Sequence, residues 1–142
     1  MLHLEFNSDS ENEGIARIVT AAYIMKFDPD MEEMDDIKTA VSEAVTNCIV
    51  HAYHNPDGKI IMDISDQNGI LRIEIKDQGI GISDVKKAME PMFTTKPEEE
   101  RTGMGFSFME AFMDQVEVIS KQGEGTTVIM TKKIGDQDKL NG

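Results

Sequence analysis

Asp77-Gln78-Gly79-Ile80-Gly81 is the stretch on which the fold depends most, and it directly follows a predicted strand at residues 70–76. That strand alternates apolar and polar side chains, and Asn-Gly at residues 68–69 predicts a hairpin with the strand before it. Asp77 can accept a hydrogen bond from an exocyclic amine such as that of adenine, and the glycines let a backbone approach a ligand closely. Asp and Gly are also ordinary turn residues, so this stretch alone leaves a ligand site and a simple turn both open.

A second motif lies on a predicted helix at residues 31–53. Glu43 and Asn47 are four residues apart and share one helical face, with His51 one further turn along. A carboxylate can take a proton from an attacking hydroxyl group, and an amide oxygen can coordinate Mg²⁺. A solvated polar face explains an isolated Glu/Asn pair more simply, so this motif alone is weak. The apolar side chains of the same helix recur at three- and four-residue spacing and predict a core-facing stripe: Met34, Ile37, Val41, Ala44, Val45, Cys48 and Ile49.

A third motif, residues 101–106 (RTGMGF), opens a predicted helix at residues 104–113. Backbone N–H groups at such a glycine-rich helix start point towards anions, and the helix dipole favours phosphate. The motif therefore indicates a phosphate site at the start of this helix.

The loop at residues 91–105 contains two prolines, two glycines and three consecutive glutamates. Long loops of this kind are often functional lids. Lys96 and Arg101 are its cations, and Arg101 can offer a fork of donors to a γ-phosphate. Thr94 and Thr95 can contact phosphate or serve the loop's own turns. A flexible acidic loop before a capped helix is the alternative.

The remaining patterns predict one domain over residues 1–135, with a frayed polar tail at residues 136–142. In chain order the predicted elements are a strand at 2–6, a helix from a capping box at Ser10-Glu11-Asn12-Glu13 to about Phe27, the helix at 31–53, strands at 59–65 and 70–76, a short helix capped by Ser83, the loop, the helix at 104–113, and strands at 115–120 and 126–133. This order predicts an α+β two-layer sandwich, in which helices cover one face of a mainly antiparallel mixed sheet.

The composition narrows the class of protein. The chain has 14 Lys and Arg against 27 Asp and Glu, a formal net charge of -13, which opposes direct nucleic-acid binding. No apolar run reaches the ~20 residues that span a bilayer, and the first residues lack the features of a signal peptide. Cys48 is the single cysteine, which excludes an intrachain disulfide, and we expect a cytoplasmic protein without membrane contact. Neither a P-loop nor an HRD catalytic loop occurs in the sequence.

In chain order, the Glu43/Asn47 pair on a helix, residues 77–81 after a strand and residues 101–106 at a helix start resemble the GHKL superfamily of gyrase B, heat-shock-90, histidine-kinase and MutL type, whose ATP-binding domain has the Bergerat fold. A closer resemblance rests on residues 42–47 (SEAVTN), 91–97 (PMFTTKP) and 100–106 (ERTGMGF). These stretches are similar to those of the anti-sigma-F factors of spore-forming bacteria, and the similarity extends from Leu2 to about Lys133. The lid stretch is the specific part, because the superfamily at large does not share it.

The resemblance implies a serine/threonine-protein kinase that uses ATP and Mg²⁺ and sequesters an RNA-polymerase sigma factor. The implied partners are a sporulation sigma factor and an anti-anti-sigma protein that is phosphorylated on serine. A homodimer is also implied, for which the edge-like strand at residues 2–6 is a candidate surface. A general-stress-type anti-sigma kinase and an ATP-gated binding module without phosphotransfer remain alternatives.

The resemblance also assigns roles to individual residues. Glu43 would be the general base, Asn47 the Mg²⁺ ligand, Asp77 the adenine contact, and Arg17 a contact to protein partners. The implied ATP-binding set comprises Asn47, Asp77, Gly79, Gly81, Thr94, Thr95, Lys96, Arg101, Gly103, Met104, Gly105 and Thr127. The chain departs from the family pattern at Ala52, where a glycine is usual after His51, and in a shorter turn at residues 55–58.

Overall fold

A computed structural model of the chain describes residues 1–53, 56–81 and 105–135. Its elements are β1 (Leu2–Asn7), α1 (Glu11–Ile24), α2 (Met31–Asn47), β2 (Lys59–Gln67), β3 (Ile70–Asp77), α3 (Gly105–Phe112), β4 (Gln115–Lys121) and β5 (Gly125–Lys133). A 3₁₀ turn, Met25–Phe27, follows α1. The predicted short helix capped by Ser83, most of the predicted lid loop and the tail at residues 136–142 lie outside the described residues. Within the described ranges, no helix combines the length and apolar character needed to cross a membrane.

The five strands form one sheet in the order β1-β2-β3-β5-β4, and every neighbouring pair is antiparallel. Asn68 and Gly69 join β2 to β3 with φ values of 54° and 79°, the left-handed pair that a two-residue hairpin turn requires. The Asn-Gly hairpin is therefore confirmed. Pairing of β3 with β5 joins the two hairpins and places the end of β3 beside the start of β5.

The helices cover one face of this sheet, which confirms the α+β two-layer sandwich. The predicted stripe of α2 faces the core: Ile37, Val41, Ala44, Val45 and Cys48 are buried, and Met34 and Ile49 pack against them. Each large aliphatic side chain buried in this way contributes about 1.5–3 kcal/mol. The helix α2 lies between α1 and α3 and contacts both. Its polar face, which carries Glu43 and Asn47, therefore lies beside these two helices.

The predicted capping box at the start of α1 is wrong. Ser10 has helical dihedral angles and its side chain makes no capping hydrogen bond. Asp9 Oδ1 instead accepts a hydrogen bond from the Glu11 N–H at 2.9 Å. The Glu13 carboxylate accepts a hydrogen bond from the Ser42 hydroxyl group, so a tertiary contact between α1 and α2 takes the place of the local one.

A capping box does form at the start of α2. Asp30 Oδ1 accepts from the Glu33 N–H at 2.7 Å, and Glu33 Oε1 accepts from the Asp30 N–H at 3.0 Å. Both orphan donors are thereby satisfied, an arrangement that typically contributes about 1 kcal/mol. The structure thus fixes the first turn of the helix that carries Glu43 and Asn47.

The strand β1 lies at one edge of the sheet and is linked to β2 by charged side chains. His3 Nδ1 hydrogen-bonds Asp63, its register partner, and Lys59 Nζ lies 3.2 Å from Glu5 Oε1. The hydrogen bonds from His3 to Asp63 and Glu5 raise the pKa of the imidazole, because both carboxylates favour the imidazolium. The order of strands in the sheet confirms the predicted edge position of β1.

Candidate functional site

The site lies where the end of α2, the turn after β3, the start of α3 and the start of β5 meet. Regular α-helix ends at Asn47, and Cys48–Ala52 continue as a π-helical turn. The Tyr53 N–H closes this turn on the Cys48 carbonyl oxygen at 3.2 Å. His51 therefore lies on a π-helical turn, where the sequence had predicted α-helix as far as residue 53. Such π-turns occur frequently at functional sites.

Asp77 ends β3 and is almost fully buried, with 5% of its surface exposed. Its Oδ1 accepts two backbone hydrogen bonds, from Gly79 at 2.9 Å and from Thr126 at 3.2 Å. Burial raises the pKa of Asp77, since desolvation of the carboxylate outweighs these hydrogen bonds. A buried carboxylate held by backbone donors is suited to accept a further hydrogen bond from a ligand.

Cys48, the first residue of the π-turn, is buried close enough to the same carboxylate for the charge of Asp77 to affect its thiol. Burial raises the pKa of the Cys48 thiol well above its usual value, and the neighbouring Asp77 raises it further. The thiol is therefore protonated at neutral pH. The sequence placed Cys48 only in the core stripe, although its position directly after Asn47 was a signal that it lies at the border of the site.

The glycines of the turn are explained by close packing within the protein. A Cβ on Gly79 would lie 2.3 Å from the Ala52 carbonyl oxygen. A Cβ on Gly81, where φ is +74°, would lie 2.2 Å from the carbonyl oxygen of Lys121 in β4. The turn is thus pressed between the π-turn and the β4–β5 hairpin, and glycine is required for that reason.

Asn47 provides the clearest sign of a ligand-binding site. Its Oδ1 is buried and has no hydrogen-bond partner within the described part of the structure. An amide oxygen left in this state costs about 1–3 kcal/mol. A Cβ on Gly105, the first residue of α3, would lie 3.0 Å from Asn47 Nδ2. A larger residue at position 105 would therefore crowd the Asn47 amide. A buried, unpaired amide oxygen is a suitable ligand for a hard cation such as Mg²⁺.

Glu43 lies one helical turn before Asn47 and lines a groove between α1 and α2. The groove has a volume of about 390 Å³, and its other lining residues are Arg17, Asp35, Lys38, Thr39 and Ser42. Arg17 is 43% exposed, and its Nε lies 3.8 Å from Glu13 Oε1. A carboxylate and an arginine therefore share one groove next to the buried end of α2.

The structure brings together some of the predicted site residues. The Asn47 side chain packs against Gly105, and Asp77 accepts a hydrogen bond from the Gly79 N–H. Thr127 is placed elsewhere: it pairs with Lys76 on the sheet face away from the helices, and its neighbour Thr126 is the residue that meets Asp77. The sequence could not distinguish the two threonines, because a one-residue change in strand register exchanges the faces. The predicted residues Thr94, Thr95, Lys96, Arg101, Gly103 and Met104 lie outside the described part of the chain.

Comparison with known protein families shows which class of domain the chain contains. The sequence profile of the family described as the histidine kinase-like ATPase domain matches residues 6–132. The match contains the helix with Glu43 and Asn47, the turn after Asp77 and the start of α3. The chain therefore belongs to the family of histidine kinase-like ATPase domains.

Curated relatives then give the narrower family. An anti-sigma F factor of Caldanaerobacter subterraneus is 56% identical over 135 residues, which cover 95% of this chain and 94% of that protein. An anti-sigma F factor of Geobacillus kaustophilus is 47% identical and covers 98% and 96% of the two chains. The chain therefore belongs to the anti-sigma F factor family.

Solved structures support the fold alone, since their sequences are distant. The RsbU and RsbW domains of a Mycobacterium tuberculosis protein align with a TM-score of 0.65 and 18% identity, over 94% of this chain and 32% of that one. The catalytic domain of histidine kinase ThkA aligns with a TM-score of 0.59 and 21% identity, over 94% and 97% of the two chains.

We expect Asp77→Asn to gain stability relative to the wild type as the pH rises. The raised pKa of folded Asp77 means that its ionisation is costlier in the folded protein than in the unfolded chain, where the ordinary value is 3.8. This destabilisation is absent at pH values below 3.8 and grows as the pH rises through the folded pKa. Asparagine keeps an acceptor for the two backbone donors but carries no charge.

Urea unfolding between pH 3.5 and 8 without nucleotide measures this difference. Glu110→Gln, an exposed carboxylate on α3, is the control and should show no comparable trend. A difference in unfolding free energy between Asp77→Asn and wild type that falls with rising pH would contradict the expectation.

Proposed function

We propose that the chain binds Mg-ATP and transfers the γ-phosphoryl group to a serine of an anti-anti-sigma protein. We further propose that its nucleotide-bound form holds a sporulation sigma factor. The observation that carries the proposal is the buried, unpaired Asn47 Oδ1, which lies beside Gly105 and one helical turn from Glu43. A cation ligand and a carboxylate at this spacing suit phosphoryl transfer better than a passive binding surface.

The residues proposed to bind the nucleotide would contact either its adenine base or its phosphates and Mg²⁺. Asp77 would accept a hydrogen bond from the adenine amine, since it is buried and held in place by two backbone donors. Asn47 Oδ1 would hold Mg²⁺, which when bound neutralises charge on the phosphate oxygens. Lys96 and Arg101 remain predicted contacts to the phosphates, together with the other residues assigned to ATP from the lid loop.

Glu43 would take the proton from the serine hydroxyl group as its oxygen attacks the γ-phosphorus in line with the leaving oxygen. Its place in the groove between α1 and α2 supports this role, because the groove is open to a second protein. The same groove supports Arg17 as a partner contact, since its guanidinium lies at the surface beside Glu13.

The anti-sigma part of the proposal is supported by the relatives, which are named anti-sigma F factors. A sigma factor acts with RNA polymerase, so this function places the chain in the cytoplasm. We also propose a single domain over residues 1–135 and a homodimer that uses the exposed edge of β1.

Intact-mass spectrometry tests the transfer directly. The protein is mixed with Mg-ATP and a candidate anti-anti-sigma protein, which is first sought in an adjacent gene. A gain of one phosphoryl group on a serine of that partner supports the kinase. No gain despite measured ATP binding supports a nucleotide-gated binding module instead. Co-purification of a general-stress sigma factor in place of a sporulation sigma factor would support the stress-type alternative.

We expect Arg17→Ala to weaken binding of a protein partner about tenfold, or about 1.4 kcal/mol, without changing ATP affinity. Arg72→Ala is the matched control, because Arg72 is 44% exposed and also pairs with a glutamate, Glu74, at 3.0 Å. Arg72 lies on β3, away from the groove. Calorimetric titration of both variants with the partner measures the effect, and equal losses in both would exclude a specific role for Arg17.

A further inference from the structure

Tyr53, the residue after the π-turn, links three segments of the chain. Its N–H donates to the Cys48 carbonyl oxygen at 3.2 Å and closes the π-turn. Its hydroxyl oxygen accepts from the Gln78 N–H at 2.6 Å, and the same hydroxyl group donates to the Lys59 carbonyl oxygen at 2.6 Å. One residue therefore connects the end of α2, the turn after β3 and the start of β2.

The ring of Tyr53 is held in place independently of its hydroxyl group. A Cβ on Gly58 would lie 2.3 Å from the Tyr53 Cγ atom and 2.4 Å from both Cδ atoms, so this glycine packs against the face of the ring. Gly58 is itself fixed by Ser8: its N–H donates to Ser8 Oγ at 3.0 Å, and its carbonyl oxygen accepts from the Ser8 N–H at 2.8 Å. The hydroxyl group is thus presented to Gln78 from a fixed position.

The peptide group between Asp77 and Gln78 is confined on both sides. The Tyr53 hydroxyl oxygen binds its N–H. On the other side, a Cβ on Gly125 of β5 would lie 2.2 Å from the Asp77 carbonyl oxygen and 2.9 Å from the Gln78 Cα. Because this peptide group adjoins the Asp77 Cα, its orientation sets the direction in which the Asp77 side chain leaves the backbone.

The two segments that Tyr53 connects each carry a group of the candidate site. Asn47, whose buried Oδ1 has no partner within the described residues, directly precedes the π-turn. Asp77, which is buried, directly precedes Gln78. Tyr53 therefore lies between the proposed Mg²⁺ ligand and the proposed adenine contact.

We propose that Tyr53 is a positioning residue of the nucleotide site, whose hydroxyl group fixes the peptide between Asp77 and Gln78 and so directs the Asp77 carboxylate towards the amine of an aminopurine nucleotide. The inference rests on the proposed function, since it assumes that ATP binds with its amine on Asp77. The effect of Tyr53 on the nucleotide is indirect and passes through Asp77.

Tyr53→Phe keeps the ring against Gly58 and removes only the hydroxyl group, so the Gln78 N–H loses its acceptor. We expect the affinity for ATP to fall about three- to tenfold, the usual effect of one hydrogen bond. The affinity for purine riboside triphosphate should stay within about twofold of the wild-type value, because its base has no amine to donate to Asp77. Calorimetric titration with the two nucleotides measures both affinities.

Amide hydrogen exchange in the nucleotide-free protein tests the contact itself. The Gln78 N–H should exchange faster in Tyr53→Phe than in wild type, by about threefold or more. The Ile134 N–H, which donates to the Gly69 carbonyl oxygen at 3.0 Å, is the internal control. It lies at the opposite end of β3, and its exchange rate should not change.

Tyr23→Phe is the matched control variant, because Tyr23 is the other of the two tyrosines in the chain. Its hydroxyl group also makes a tertiary hydrogen bond, to Asp66 Oδ1 at 2.5 Å, away from the site. Tyr23→Phe should lower the melting temperature without changing the ratio of the two nucleotide affinities. In an Asp77→Asn background, Tyr53→Phe should not change that ratio further.

Three results would overturn the inference while leaving the proposed function in place. They are equal losses of affinity for both nucleotides in Tyr53→Phe, no loss for ATP, and an unchanged exchange rate of the Gln78 N–H. A further change of the affinity ratio in the double variant would also overturn it. Absence of ATP binding by the wild-type protein would instead overturn the proposed function, and this inference with it.

Discussion

Glu43→Gln should abolish phosphotransfer and leave ATP binding and sigma-factor binding close to wild type. Glutamine has the shape of glutamate but cannot take the proton of a serine hydroxyl group. General-base catalysis typically contributes about 10²- to 10⁴-fold, and we expect a loss in that range. Because α2 is held by a buried apolar stripe and a capping box, the substitution should not move Asn47, one turn further on.

The measurement is the rate of phosphoryl gain by the partner under single-turnover conditions, together with calorimetric affinities for ATP and for the sigma factor. Glu32→Gln, an exposed glutamate in the first turn of α2, is the matched control and should transfer at the wild-type rate. Loss of all three activities in Glu43→Gln would mean that Glu43 is structural. A rate within about twofold of wild type would show that another group is the base.

Gly79→Ala should strongly lower the stability of the folded protein. The added Cβ would lie 2.3 Å from the Ala52 carbonyl oxygen and 2.6 Å from the Ala52 Cβ. Both atoms belong to or adjoin the backbone of the π-turn, which cannot rotate away as a long side chain can. Overpacking of this kind costs about 1–3 kcal/mol or more, and we expect the upper end. A melting temperature lower by on the order of 10 °C follows for a domain of this size.

Nucleotide affinity should fall in the same variant, because the Gly79 N–H donates to Asp77 Oδ1. Gly14→Ala is the control: the nearest atom to its added Cβ is Arg17 Nη2 at 3.8 Å, and the position is inside α1. Alanine there should raise stability by about 0.5–1 kcal/mol. Thermal unfolding followed by circular dichroism compares the two, and an undiminished melting temperature for Gly79→Ala would show that the turn adapts.

Features governed by local periodicity could be predicted from the sequence. The alternation of apolar and polar side chains and the Asn-Gly turn predicted β2 and β3. The three- and four-residue spacing of apolar side chains identified the buried face of α2. The Glu43 and Asn47 pair could be located for the same reason, since one helix fixes their relation. These features depend on neighbours in the chain, which a sequence shows directly.

Features decided by tertiary contacts could not be predicted. Glu13 matched a capping box, but a hydrogen bond from Ser42, on another helix, replaced the local partner. The π-turn at Cys48–Ala52 has no recognisable sequence period, so the sequence predicted a continuous α-helix there instead. Thr126 was missed because strand register across β3 decides which threonine faces the site.

The order of the strands also has a consequence for folding. The pairs β2–β3 and β4–β5 close short hairpins, whereas Asn7 of β1 must find Lys59 of β2 across both α1 and α2. Contacts between distant parts of a chain carry a larger loop-closure entropy and form later. During synthesis β1 therefore leaves the ribosome first and waits unpaired until β2 has emerged. The hydrogen-bonding edge that β1 needs is supplied only after both α1 and α2 have been synthesised.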